Sequence, residues 1–332
     1  MSPIAQSFYA SMESAKSWVR TVRRLIPWRP TLRGRVAMLT SDRLPADYSR
    51  FHGPVLSPEE GHAAVISRLA TDTPYLLGRI GETEYECVME YLFLRSRGRP
   101  YTARNQRRIC ENSGVFSNDT ENLDRFSQCY LDSLRSADLV GTWGGILPYE
   151  HELYREYCPQ AATGTFDCTN PVVGLKTPWS YGLRGKRVLV VNAFVETIRS
   201  QYARREKLFD NPRQLPAFDL LTLKSVQTLG GDSAGFANWC DALESMKSQI
   251  AALAFDVALI GAGAYGLPLA AFVKSLGKQA LVTGGVTQLL FGIRGKRWDN
   301  NGFAELFYNE HWVYPSDAEK PKAISRVDGY WK

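Results

Sequence analysis

Beyond Pro45 the chain alternates between two hydrophobic rhythms. Short apolar runs fall within 75–77, 138–141, 187–191, 256–260 and 279–282, and each reads as a strand, 187–191 as a buried one. Between them lie stretches with apolar residues every three or four positions, the period of a helix. One helix is predicted to start at Ser57-Pro58-Glu59-Glu60, where the serine caps and Pro58 sits in the first turn. Others are predicted at about 85–94, 123–134, 196–207 and 236–254, with one more near Pro268 that Gly277 closes. Strand and helix in alternation predict an α/β fold, Rossmann-like, with a mostly parallel sheet and helices on both faces. That domain is expected to span 45–332, with two possible halves meeting at a linker near 177–185.

Residues 1–40 have a different pattern. Ile4, Phe8, Met12, Ala15, Val19, Val22 and Ile26 fall at helical spacing, while Arg20, Arg23 and Arg24 lie toward the other side. Residues 1–35 hold seven basic side chains against one acidic, leaving 33 of each sign in the rest, so this head carries the whole net charge of +6. A basic amphipathic helix with Trp18 and Trp28 suits an anionic membrane surface, and it equally suits packing on the body with a solvated arginine face. The neutral body offers no continuing basic stripe, which argues against nucleic acid.

Composition narrows the class. Hydrophobic residues at 44% and charged residues at 22% are those of a globular protein with a substantial core. No run approaches the ~20 apolar residues needed to span a bilayer, and a secretory signal is not recognisable. The six cysteines are scattered without a CxxC pair, so they read as reduced thiols and point to a cytoplasmic setting, peripheral on the membrane's inner face if the head binds there. The four histidines have no zinc-type spacing, and neither a GxSxG elbow nor a GxxxxGK[ST] loop is present.

Three constellations carry candidate chemistry. The turn Gly261-Ala262-Gly263-Ala264-Tyr265-Gly266 matches GxGxxG between a strand and a helix, a setting that lets backbone amides meet a phosphate. It would suit NAD or FAD, but the next strand ends Val282-Thr283-Gly284-Gly285 without the acidic residue that grips a ribose. Glu82 and Glu84 follow a strand in the glycine-containing loop Gly78-Arg79-Ile80-Gly81. They are candidates to hold Mn²⁺ or Mg²⁺ on a diphosphate, or alternatively to cap the helix that begins there. Gly284, Gly285 and Gln288 lead into Arg294, Lys296 and Arg297, a cationic loop suited to phosphate.

The sequence Arg79-Ile80-Gly81-Glu82-Thr83-Glu84 after a strand, and the strand, glycine turn, helix and glycine-ended strand of 256–284, resemble the GT-D-fold bacterial glycosyltransferases. That Rossmann-like class has a strand, then R-[FI]-G-D-G-E, then a helix; here glutamate stands for its aspartate and threonine for its inner glycine. The resemblance spans roughly 60–300. It implies a nucleotide-sugar donor, a UDP-sugar by family habit, and a divalent metal at Glu82 and Glu84. It also implies that Gly78, Arg79, Gly81 and the two glycine turns line the donor site. The family's histidine after the last core strand is replaced by Gly284-Gly285, so a base comes from elsewhere or is not used. Glu196 is the candidate, with capping of its own helix as its other reading. The tail from Trp312-Val313-Tyr314-Pro315 to Tyr330-Trp331 is similar to that of bacterial proteins found with surface-polysaccharide genes, which implies a glycan or lipid-linked acceptor. The expectation is therefore a metal-dependent glycosyltransferase. Its rivals are an NAD- or FAD-dependent oxidoreductase using the GxGxxG turn, and a non-catalytic nucleotide-binding protein recruited to membranes.

Overall fold

The computed structural model describes residues 48–144, 147–299, 304–320 and 329–331, so the basic segment 1–40 lies outside the described residues. Eight strands form one sheet: β1 (Val55–Leu56), β2 (Tyr75–Gly78), β3 (Leu139–Thr142), β4 (Ala162–Thr165), β5 (Arg187–Asn192), β6 (Asp219–Lys224), β7 (Val257–Gly261) and β8 (Gln279–Val282). Their order across the sheet is β1-β4-β3-β2-β8-β7-β5-β6, and every pairing is parallel. The α/β, doubly covered architecture read from the sequence is the one observed.

The pleat explains why both faces need helices. Leu76, Val140, Leu189, Val191, Ala258, Ile260, Ala280 and Val282 point into one core, while Tyr75, Leu77, Leu139, Val188, Val190, Leu259 and Leu281 point into the other. The first core is closed by α2 (Glu82–Phe93), α4 (Thr120–Leu134), α7 (Trp239–Ala251) and α8 (Gly266–Ser275), through side chains such as Val88, Phe126, Met246 and Val273. The second is closed by α1 (Pro58–Leu69), α6 (Val195–Tyr202) and the short α9 (Val286–Leu290), through Val65, Leu69, Ile198 and Leu289. Each such buried aliphatic side chain contributes about 1.5–3 kcal/mol relative to leaving it in water. Helix α1 opens with a full capping box: the Ser57 hydroxyl accepts from Glu60 N–H at 3.3 Å, and the Glu60 carboxylate accepts from Ser57 N–H at 2.9 Å.

Several elements differ from the sequence expectation. Helix α2 begins at Glu82 rather than near Tyr85, which puts Glu82 and Glu84 inside its first turn. The helix expected over 196–207 stops at Tyr202, followed by a separate 3₁₀ turn, Arg205–Lys207. The helix expected over 236–254 is trimmed by Asn238, whose side chain accepts from Asp241 N–H at 3.1 Å. Two further helices, α3 (Ala103–Ser113) and α5 (Glu150–Tyr157), and strands β1, β4 and β6 were not anticipated from the sequence. Around 177–185 the chain forms the 3₁₀ turn Trp179–Leu183, which buries Trp179 and Leu183 with Leu69 of α1. The sheet runs unbroken past this point, because β2 pairs with β8 through Leu77 and Leu281.

The strand order fixes where a ligand can enter. From β5 the chain moves outward to β6, whereas from β7 it moves inward to β8. Adjacent strands whose connections depart in opposite directions leave a crevice at their carboxyl ends.

Candidate functional site

A cavity of about 460 Å³ occupies that crevice, lined by residues that follow β2, β3, β5, β6, β7 and β8. Its size is that of a small-molecule site. The feature that sets its chemistry is a pair of arginines. Arg79 leaves the end of β2, and Arg297 comes from the loop after α9; both line the cavity. Neither has a carboxylate within 4.0 Å among the described residues. Arg79 donates a long hydrogen bond to Thr283 O (3.4 Å) and lies 4.6 Å over the Phe166 ring. Burial, and then the like charge of Arg297, push the Arg79 pKa down to about 10. Two guanidinium groups lining one partly buried cavity suit an anionic ligand.

The glycine pair after β8 makes room for them. Gly284 has φ +53°, and a side chain there would run into the Arg79 guanidinium. At Gly285 a Cβ would lie 3.0 Å from Arg297 Nη1 and 3.3 Å from Tyr330 Cε1. Arg297 lies against two aromatic rings, 4.6 Å from that of Trp298 and 4.7 Å from that of Tyr330.

The other members of the expected cationic loop are elsewhere. Arg294 does not line the cavity; its guanidinium pairs with Asp299 at 3.3 Å and lies 4.8 Å from the Tyr308 ring and 4.9 Å from the Tyr314 ring. Lys296 is exposed and also off the cavity wall. Gln288 borders the cavity, but its amide is committed to structure: Nε2 donates to Tyr330 O (2.8 Å), and Oε1 accepts from Trp298 Nε1 (3.0 Å).

In the GxGxxG turn, Gly261, Gly263 and Tyr265 border the cavity, whereas Ala264 and Gly266 do not. Gly261 is a glycine for internal reasons, since a Cβ there would meet Thr287, Asn192 and, at 2.7 Å, the Gly284 carbonyl oxygen. Gly263 has φ +54°. The Tyr265 ring is stacked on Trp239 and its hydroxyl lies 2.9 Å from Thr228 Oγ1, which ties the turn to the core. Gly78 sits within β2 off the cavity, where α8 approaches so closely that a Cβ would stand 3.0 Å from Leu267.

Glu82 and Glu84 both border the cavity, yet they do not converge. Residues two apart on a helix face different directions. Glu82 is half exposed and faces Arg108 at 3.3 Å. Glu84 is buried and folds back over Gly81, where it accepts from Thr83 Oγ1 at 3.1 Å; a side chain at Gly81 would collide with it. Among the described residues no group of three His, Cys, Asp or Glu side chains converges as a metal cage.

Glu196 is not at the cavity. It is exposed at the start of α6 and pairs with Arg199 at 2.7 Å. The cap of α6 is supplied by a different residue: Glu319 accepts from Glu196 N–H at 2.7 Å and also bonds the Thr197 hydroxyl. Sequence reasoning missed many wall residues, Asn192, Trp143 and Phe166 among them. Asn192 closes β5, bridging Gly261 O (3.0 Å) and Phe194 N–H (3.0 Å). Trp143 follows β3, and Phe166 follows β4 with its ring 4.6 Å from that of Trp143. Their position just past strand ends is the signal that could have found them.

No family model matches this chain, and no curated protein matches it. Two solved structures of the domain of unknown function 1792 are similar to it. One is the selenomethionine-substituted domain, at 15% identity and TM-score 0.40; the other, described as having a distinct glycosyltransferase fold, is at 15% identity and TM-score 0.41. Each match covers 82% of this chain and 94% of the other.

Proposed function

We propose that the cavity binds the diphosphate of a nucleotide-sugar, a UDP-sugar in the first instance, and that the protein transfers the sugar to a glycan or lipid-linked acceptor. The observation that carries this reading is the pair Arg79 and Arg297, without a carboxylate partner among the described residues, over Gly284-Gly285 at the carboxyl ends of a parallel sheet. Positive charge held rigidly here stabilises the diphosphate more as it becomes the leaving group, because negative charge grows on it when the glycosidic bond breaks. The motif at 79–84 supports sugar transfer over other uses of a diphosphate. The crowding around Gly261 and the absence of an acidic residue after β8 weigh against a dinucleotide.

A divalent ion fits with one protein carboxylate. Glu84 is the better ligand, since it borders the cavity free of any arginine contact within 4.0 Å among the described residues, whereas Glu82 is engaged by Arg108. Magnesium and manganese accept such a site, taking their other ligands from phosphate oxygens and water. When bound, the ion would neutralise charge on the leaving diphosphate. Attachment to the inner membrane surface through residues 1–35 belongs to the same proposal; no helix among the described residues is long and apolar enough to cross a membrane.

The deciding experiment is calorimetry with UDP, a UDP-sugar panel, NAD and NADP, with and without Mn²⁺, followed by assay of UDP release. UDP binding on the order of micromolar Kd is expected, with no saturable NAD binding at millimolar concentration. Tight NAD binding without UDP binding overturns the reading in favour of an oxidoreductase. UDP binding with no turnover of any UDP-sugar would leave a nucleotide-binding scaffold.

A further inference from the structure

The last described residues return to the cavity rather than trailing away from the domain. Arg297 N–H donates to Gly329 O at 2.7 Å, Lys296 N–H donates to Trp331 O at 2.9 Å, and the buried Gln288 amide donates to Tyr330 O at 2.8 Å. Gly295 lets this segment lie so close, because a Cβ there would stand 2.9 Å from Tyr330 O. Trp331 is 2% exposed, packed edge-on against Phe194 at 5.2 Å, and both it and Tyr330 line the cavity. Among the described residues its buried indole N–H has no acceptor.

The consequence falls on Arg297. Arg297 is itself exposed, on a loop that is otherwise mostly buried, and a long side chain there would be free to sample many rotamers. The Tyr330 and Trp298 rings both lie against the guanidinium, 4.7 Å and 4.6 Å away, beside Gly285, and restrict where it can go. The backbone bond to Gly329 fixes the arginine's own peptide, and Gln288 ties the Tyr330 carbonyl to the same scaffold that holds Trp298. Thus three separate contacts converge on the placement of one cation.

We propose that the C-terminal segment Gly329-Tyr330-Trp331 is a working part of the diphosphate subsite, with Tyr330 the positioning residue that holds Arg297 toward the ligand. Trp331 closes the adjacent wall and offers an unused N–H donor. This rests on the reading of Arg79 and Arg297 as the diphosphate ligands. It adds that the site is assembled from chain segments more than 200 residues apart, and that the Tyr330 ring serves affinity whereas Trp331 also belongs to the buried core.

The test compares Tyr330→Ala, Tyr330→Phe, deletion of 329–332, Arg79→Met and Arg297→Met, using UDP and inorganic pyrophosphate as probes in calorimetry, with thermal midpoints as the control for folding. Tyr330→Ala is expected to weaken both probes about tenfold with the thermal midpoint little changed, and Tyr330→Phe to restore affinity to within about threefold, because the ring face is retained. The deletion is expected to lose at least as much affinity as Tyr330→Ala. Wild-type binding by Tyr330→Ala beside lost binding by Arg297→Met would overturn the positioning role while leaving the diphosphate site intact. Equal loss in Tyr330→Ala and Tyr330→Phe would overturn stacking as its basis. Unchanged binding in both arginine variants would overturn the diphosphate site itself, and the role of the tail with it.

Discussion

Arg79 and Arg297, 218 positions apart in the chain, flank one glycine pair, and each guanidinium occupies space that a side chain at Gly284 or Gly285 would take. Burial first, and then the like charge of Arg297, lowers the Arg79 pKa, so the fold holds two like charges on one cavity wall.

That relationship predicts opposite effects on stability and binding. Arg79→Met removes a poorly solvated charge and relieves the repulsion, so the unliganded protein is expected to melt about 1–3 °C higher. The same change deletes a charge-assisted contact to phosphate and is expected to weaken UDP about 10- to 100-fold. Arg297→Met is expected to weaken UDP comparably. A thermal-shift titration checks both signs at once: a variant that melts lower and binds normally would refute the assignment.

The glycines should separate by what a methyl group meets. At Gly285 it meets the far ends of Arg297 and Tyr330, both able to swing aside, so Gly285→Ala should fold normally and lose UDP affinity. At Gly261 it meets the Gly284 carbonyl, and backbone cannot move cheaply, so Gly261→Ala should cost about 1–3 kcal/mol of stability. Chemical denaturation of the two variants tests the contrast.

Much of this was legible in the sequence where burial is two-sided. Val188 to Val191 and Val257 to Ile260 are central strands, and unbroken apolar runs reported them well. Strand β4 is Ala-Thr-Gly-Thr and β1 has only two residues, so neither carries a core's hydrophobic imprint, while β6 has three leucines but is outermost and only half-buried. The glycine-flanked loops were visible because glycine marks close approach. What could not be read was the division of labour among charges of one type. Arg294, Lys296 and Arg297 look alike in sequence, yet only tertiary partners such as Asp299 and Tyr330 determine which of them faces the cavity. Likewise Glu196 lies near a strand end, but helix α6 turns it outward to Arg199.

The divergence of the two glutamates makes them separable. Glu84→Gln keeps size while removing charge at the buried cavity wall and is expected to abolish the Mn²⁺ enhancement of UDP binding. Glu82→Gln leaves Arg108 paired with Glu86 and should retain that enhancement, because the Glu82 carboxylate is half exposed and already paired. Equal Mn²⁺ enhancement in both variants and the parent would remove Glu84 from metal binding.

The basic head makes a prediction that rests on sequence alone. Deleting residues 1–35 removes seven basic and one acidic side chain and leaves a body of balanced charge. The full chain is expected to sediment with phosphatidylserine vesicles at low salt and to release as salt rises, whereas the deletion should stay in the supernatant. Equal sedimentation of both proteins would make the head a structural element.

Glu150 predicts a pH dependence whose sign can be worked out. It is 1% exposed at the start of α5 and accepts from Thr142 Oγ1 (2.8 Å), Trp143 N–H (3.0 Å) and Tyr154 OH (2.9 Å). Burial pushes its pKa up from an ordinary 4.5 to about 7, and the hydrogen bonds offset that only in part. The folded state therefore keeps a proton that the unfolded chain gives up between about pH 4.5 and 7. Stability from this group falls as pH rises through that window and is level above it. Glu150→Gln removes the titration, so its stability should decline less between pH 5 and 7 than that of the parent in urea unfolding. Tyr85 and Tyr154, both buried beside it, and His151, 2.8 Å from Glu152, are common to both proteins, so the difference isolates Glu150. Because the same carboxyl anchors the peptide of Trp143 at the cavity wall, UDP affinity of the parent should also shift across pH 6–8 more than that of the variant. Identical slopes in the two proteins would show that Glu150 ionises normally and that its burial is offset by the bonds it accepts.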